Sequence, residues 1–206
     1  MPIPPQVPPP VPMPGPNVLG RTLRWHAIQD PEGGRGLSFG DEILAEMWWS
    51  PSDGGVRAEA GDAIWTVDLA GARPIRGQVR PGAGGAPIIL YVGGVRRGLA
   101  RSREGAEFEL FANSDLRRGP WMGVDHVGGD GVLRVRGRLG RGGFWSEISV
   151  TPDVRFRSVA WPLVLLWGSL RILRGRRPLL GFTANGMAEE AVRTMLDELS
   201  LAGGTR

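Results

Sequence analysis

This chain of 206 residues has no cysteine and no lysine. Without cysteine it can hold no disulfide, no thiolate nucleophile and no cysteine-ligated zinc, and the absence is compatible with either side of a membrane. Without lysine it cannot complete a GxxxxGK[ST] phosphate loop, and no GxGxxG opens a helix after a strand. Histidine is scarce as well. His26 and His126 lie far apart in the sequence and neither belongs to an HExxH-type metal spacing. "DHVGGDG" (Asp125–Gly131) lacks the ligand rhythm and terminal glutamate of a calcium loop and reads as a hairpin turn. Ser146 or Ser149 with His126 and Asp125 would suit nucleophilic chemistry by residue type, but no GxSxG elbow accompanies them and no pattern joins them. No cofactor is implied.

What is abundant is glycine, proline and arginine. There are 33 glycines and 18 prolines, and all 25 basic residues are arginine. The formal net charge is only +4; the sequence pI of about 11.0 reflects the missing lysine more than a large charge. A GC-rich genome would produce this arginine bias, and a polyanion-binding role would use it, because guanidinium forks suit phosphate. With 41% apolar and 22% charged residues, the composition is that of one globular domain.

Residues 1–17, "MPIPPQVPPPVPMPGPN", hold nine of the prolines and predict a polyproline-type or disordered tail. They have no basic start and no unbroken apolar stretch, so they do not read as a secretory signal. From Val18 to about Val150 the text becomes short segments broken by glycine. Ile43–Trp49, Val56–Ala60, Ala63–Leu69, Ile75–Arg80, Ile88–Val92, Gly98–Arg101, Glu107–Ala112, Pro120–His126, Val132–Leu139 and Phe144–Val150 read as strands. Turn signals such as "SDGG", "PGAGG" and "GGDG" separate them. So many short strands without helical pattern predict an antiparallel barrel or sandwich. Ile43–Leu69 and Ile88–Phe111 also echo each other at an offset of about 43 residues: strand, glycine turn, strand ending in alanine, turn, then a strand carrying Trp65 or Phe108.

"VAWPLVLLWGSLRIL" (Val159–Leu173) is apolar on all sides of a helix. Fifteen residues rise about 22 Å, short of the roughly 30 Å of a bilayer core. Arg157, Arg171, Arg174, Arg176 and Arg177 crowd its ends, and Pro162 fits a first turn. A closed sheet of about 10–12 strands is wide enough to need contents, so the segment predicts a central helix enclosed by the barrel. A short membrane span remains the alternative.

The stretches "EILAEMWW", "AGDAIWTVDL", "SREGAEFELF", "GDGVLRVRG" and "VAWPLVLLWGSL", spanning about residues 40–173, resemble in layout the tubby C-terminal fold, whose superfamily includes phospholipid scramblases and LURP-one-related proteins. That resemblance implies a closed barrel around a C-terminal helix and an affinity for phosphoinositide headgroups. It carries no diagnostic motif. The chain also departs from the family by continuing past the helix: "LLGFTA" (Leu179–Ala184) suggests one more strand, and residues 185–206 an amphipathic helix. That helix would be capped by Asn185 and stopped at Gly203, with Ala188, Ala191, Val192, Met195, Leu196 and Leu199 on one face.

The expected domains are therefore a tail (1–17), a barrel-like domain (18–184, central helix 159–173) and a C-terminal helix (185–206). Two arginine groups are the candidate anion site: Arg134, Arg136 and Arg138 on one strand face, and Arg171, Arg174, Arg176 and Arg177 after the apolar run, where cations also complement the helix dipole. The eight tryptophans read as core and barrel lining rather than a nucleic-acid stacking surface, with one of Trp48 and Trp49 facing outward. The expected function is a non-catalytic binding or scaffold protein, cytoplasmic and peripheral to membranes, whose partner is an anionic lipid surface rather than nucleic acid. A membrane-anchored protein and a hydrolase with an unrecognised site are the alternatives.

Overall fold

The computed structural model describes residues 15–28, 34–52, 54–71, 74–82, 84–113, 121–129, 131–140, 143–176 and 189–203. Twelve antiparallel strands form a closed barrel in which each pairs with its neighbours in sequence. They are β1 (Thr22–Ala27), β2 (Arg35–Phe39), β3 (Glu42–Ser50), β4 (Gly55–Ala60), β5 (Ala63–Ala70), β6 (Ile75–Pro81), β7 (Ile89–Gly93), β8 (Arg97–Ser102), β9 (Glu107–Asn113), β10 (Trp121–His126), β11 (Gly131–Gly140) and β12 (Gly143–Val150). Pairing of β1 with β12 closes the ring. The mainly β architecture and the ten strands expected from the sequence are present as β3–β12; β1 and β2 are additional.

Alternation builds the wall. On β11, Leu133 and Val135 turn inward and are buried, while Arg136 is exposed on the other face. On β5, Trp65, Val67 and Leu69 go inward. The hairpins β2–β3 and β4–β5 turn through Gly40-Asp41 and Gly61-Asp62. Gly40 and Gly61 have φ of 59° and 56°, a left-handed conformation that glycine adopts without steric cost.

The internal echo reappears as packing. Across β3, β4 and β5 the register aligns Met47, Ala58 and Trp65. Across β7, β8 and β9 it aligns Tyr91, Ala100 and Phe108. All six are fully buried. Each row sets an alanine between two large side chains, which is how a curved wall interdigitates without voids. Tyr91, the one tyrosine, lies close over Gly98 and donates its hydroxyl to the Gly94 carbonyl; burial pushes its phenol above the ordinary tyrosine range.

After a short 3₁₀ turn (Val154–Phe156) capped by Asp153, helix α1 runs from Ala160 to Arg176. Every residue from Val159 to Leu170 is buried, so α1 has no solvent face over that stretch. It touches β3, β4, β5, β6 and β11, and Trp25 of β1 meets Trp167 edge-on at 5.4 Å. In the ring order β5 and β11 stand six places apart, as far as twelve strands allow. We infer from these contacts that α1 runs between them, through the barrel, and its side chains and those of the strands form one hydrophobic cluster. Among the described residues no helix is long and apolar enough to cross a membrane.

Helix α2 (Glu189–Gly203) lies on the outer face of β7 and β8. Leu196 is buried against Val92 and Leu99, with Val192, Met195 and Leu199 around it. Arg101 bridges Asp197 of α2 and Glu107 of β9, and Arg193 reaches Glu107 at 3.2 Å. Ala191, expected on the packed face, is exposed. The expected strand at Leu179–Ala184, the Asn185 cap, Ala188, Arg177 and most of the proline tail (1–14) lie outside the described residues.

Candidate functional site

The residues that gather outside the core do so at one mouth of the barrel, where α1 ends. On β1, Leu23 and Trp25 point into the lumen while Arg24 and His26 point out. The Trp25 ring covers Gly168 of α1 so closely that a Cβ there would stand 2.7 Å from the ring. Glycine is what lets strand and helix approach. This seating places Arg171 and Ile172, one turn further along, at the rim. From β2 comes Arg35, paired across the ladder with Ala27; from β12 come Trp145 and Ser146, the latter paired with Trp25. With His26, Gly175 and Arg176 these residues line a pocket of about 410 Å³. That volume falls in the range of small-molecule sites, roughly 300–1,000 Å³.

Its charge is of one sign. Arg35, Arg171 and Arg176 line it, and among the described lining residues there is no carboxylate. Arg171 is half-buried, and burial first, then the guanidiniums of Arg174 and Arg35, push its pKa below the ordinary arginine value. It stays charged at any working pH because arginine begins so high. The helix C-terminus contributes roughly half a negative charge nearby. Arg174 and Arg35 oppose the charge on Arg171.

A second groove of about 340 Å³ adjoins the first and shares His26, Ala27 and Trp145 with it; Arg24, Ser38, Asp41 and Ile43 complete its walls. The Arg24 guanidinium sits 4.8 Å above the Trp145 ring. Trp145 is the partition between a purely basic pocket and a mixed polar groove.

The two arginine groups expected from the sequence separate here. Arg171 and Arg176 line the pocket and Arg174 stands beside Arg171. Arg134 instead pairs with Asp125 and lies 5.6 Å from the Phe111 ring centroid. Arg136 is exposed, in register with Glu147. Arg138 aligns with Trp145 along the β11–β12 ladder. Arg134 is thus tied to a carboxylate on the barrel wall and does not join the mouth. Sequence reading missed Arg35, Trp25 and His26, because it had no β1 or β2 to carry them. The signal was available in "TLRWHA", which alternates polar and apolar residues.

The chain matches no family model, no curated protein and no solved structure. Its site must therefore be read from geometry alone. Of the serines considered with His126 and Asp125, Ser149 lies across the ladder from Arg134, the partner of Asp125, and Ser146 lies elsewhere. Ser146 lines the pocket beside Arg171, whereas His126 packs on Phe108 and on Phe156, which precedes α1. Phe156 and Arg171 are 15 residues apart, and the intervening helical rise of about 1.5 Å per residue sets the two groups near opposite ends of the barrel. Asp125 is engaged by Arg134. Of the tryptophans, Trp25, Trp65, Trp161 and Trp167 are core, as expected, while Trp48, Trp49 and Trp145 are all half-buried.

Proposed function

We propose that this protein is a non-catalytic binding protein that docks on anionic lipid headgroups through the basic mouth of its barrel. The observation that carries the reading is Arg171: a half-buried guanidinium beside two others, with no carboxylate among the described residues of the pocket it lines. A purely structural residue in that position would be better replaced by an apolar one, since a buried charge that meets only like charges costs stability. Keeping it makes sense if an anion is the missing partner. The layout, a closed antiparallel barrel followed by a buried apolar helix, supports the likeness to tubby-type proteins.

Two readouts test this together. Arg171→Leu is expected to raise the stability of the free protein by about 1 kcal/mol, as removal of an uncompensated charge should. The same change, alone or with Arg35→Ser and Arg176→Ser, is expected to abolish sedimentation with phosphatidylserine vesicles, while neutral phosphatidylcholine vesicles bind neither protein. Raising the salt concentration should release the wild type. Vesicle binding that survives loss of all three arginines would remove the proposal.

A further inference from the structure

The barrel encloses four polar atoms that find no hydrogen-bond partner among the described residues: Nε1 of Trp65, Trp161 and Trp167, and Oγ of Ser169. A serine inside a helix ordinarily turns its hydroxyl back to the carbonyl four residues earlier. Ser169 is fully buried and does not. A buried polar group left without a partner costs stability, so each of these atoms needs an account.

The packing of α1 sorts them. Trp161 stands at the start of the helix against Gly15, about 12 Å before Ser169 along the axis. Successive helical residues step by about 100° around the axis, so Trp167 and Ser169 lie on either side of Gly168. Gly168 faces Trp25 of β1 and Met47 of β3. Trp167 meets Trp25, on the β1 side. Ser169 therefore turns the other way, past β3. In a ring of twelve strands that step covers about three strand positions and brings Ser169 to β4–β6, strands that α1 touches. Trp65 is on β5, at the centre of that sector. Its height matches as well. The ladder sets Trp65 across Ala58 from Met47, and the Met47 sulfur lies beside Gly168, the residue before Ser169.

We propose that Ser169 and Trp65 hold one buried water inside the barrel. The Trp65 indole N–H donates to it, and the Ser169 hydroxyl, able to donate or accept, shares a second hydrogen bond with it. Waters in protein interiors sit where polar groups converge in this way. The contact keys the rotation of α1, because a satisfied polar pair in an apolar core selects one arrangement of its elements. Two residues further on, the same helix carries Arg171 to the rim. The site is independent of the anion pocket at the mouth.

A high-resolution crystal structure of the full chain is expected to show a water within hydrogen-bond distance of both Ser169 Oγ and Trp65 Nε1. In solution, Ser169→Ala is expected to lower the melting midpoint by about 3 °C. An idle hydroxyl would give the opposite sign, since alanine is the better helix former. Trp65→Phe, which removes the N–H and keeps a ring, supplies the second arm. In that background Ser169→Ala should lower the midpoint by less, because the two groups act through one water. A structure with no water between them, or with the Ser169 hydroxyl bonded directly to the indole or to the helix backbone, would overturn the inference. So would a midpoint that Ser169→Ala raises, or two losses that simply add.

Discussion

Replacing Gly168 by leucine is expected to destabilise the protein by about 3 kcal/mol, an overpacking cost at the upper end of those seen in well-packed cores. An exposed helical glycine would respond in the opposite direction, because leucine and alanine are better helix formers by nearly 1 kcal/mol. At Gly168 any side chain meets the Trp25 ring at 2.7 Å and the Met47 sulfur at 3.2 Å, and Trp25 is itself held against Trp167. Gly175 lies on the same helix with nothing within 4 Å. Gly175→Ala should therefore leave stability unchanged or raise it slightly. Urea unfolding of the two variants measures the contrast. The site should respond too: Gly168→Leu pushes α1 away from β1 and should disorganise Arg171 and Ile172 against Arg35, weakening anion binding in whatever fraction remains folded. If both glycine variants behaved alike, α1 would not be packed against β1 and β3 as described.

The second large effect belongs to the repeated rows of the wall. Trp65→Ala and Phe108→Ala are each expected to cost about 3–5 kcal/mol, the usual range for deleting a fully buried aromatic ring. Both side chains are 0% exposed and both stand opposite an alanine, Ala58 and Ala100. The costs should be similar because the surroundings are. Filling the small partners, by Ala58→Leu or Ala100→Leu, should cost about 1–3 kcal/mol each. Thermal or chemical denaturation of the four variants tests the equivalence. A tolerated substitution in one row and a damaging one in the other would show that the likeness between Ile43–Leu69 and Ile88–Phe111 is not carried into packing.

How much of this was legible beforehand depends on what each residue's neighbours are. Strands β3–β12 announce themselves because alternation and glycine turns are local signals, readable in windows of six to eight residues. Helix α1 was legible for a related reason: a segment apolar on every face and too short for a bilayer has few places to go. Strand β2 was hidden. "RGLSF" offers one strongly apolar inward residue, Leu37, and the bulge at Leu37/Ser38 breaks the period of two and buries a serine. Strand β1 alternates clearly, yet its partner β12 lies at the far end of the sheet-forming sequence, and nothing local declares that pairing. The mouth pocket is built at that seam. Arg171 and Arg176 could be named from the charge cluster after the helix. Arg35, Trp25 and His26 were missed with the strands that carry them: the β1–β2 ladder sets Arg35 across from Ala27, and ring closure adds Trp145 and Ser146 of β12. The pairing of Arg134 was hidden for the converse reason: Asp125 on the neighbouring strand takes it, and strand alternation carries no information about what stands across the ladder.

The account rests on α1 being surrounded by sheet. Leu163, Val164, Leu165 and Leu166 are consecutive and each is 0% exposed; at 3.6 residues per turn they sample every side of the helix. The chain has no native cysteine, so four single-cysteine variants at these positions report cleanly on their own surroundings. In detergent-free buffer, all four thiols are expected to react with a water-soluble maleimide only as fast as the whole protein unfolds. Rapid labelling of even one of them in the folded protein, as for a helix lying against the outside of the barrel, would contradict it.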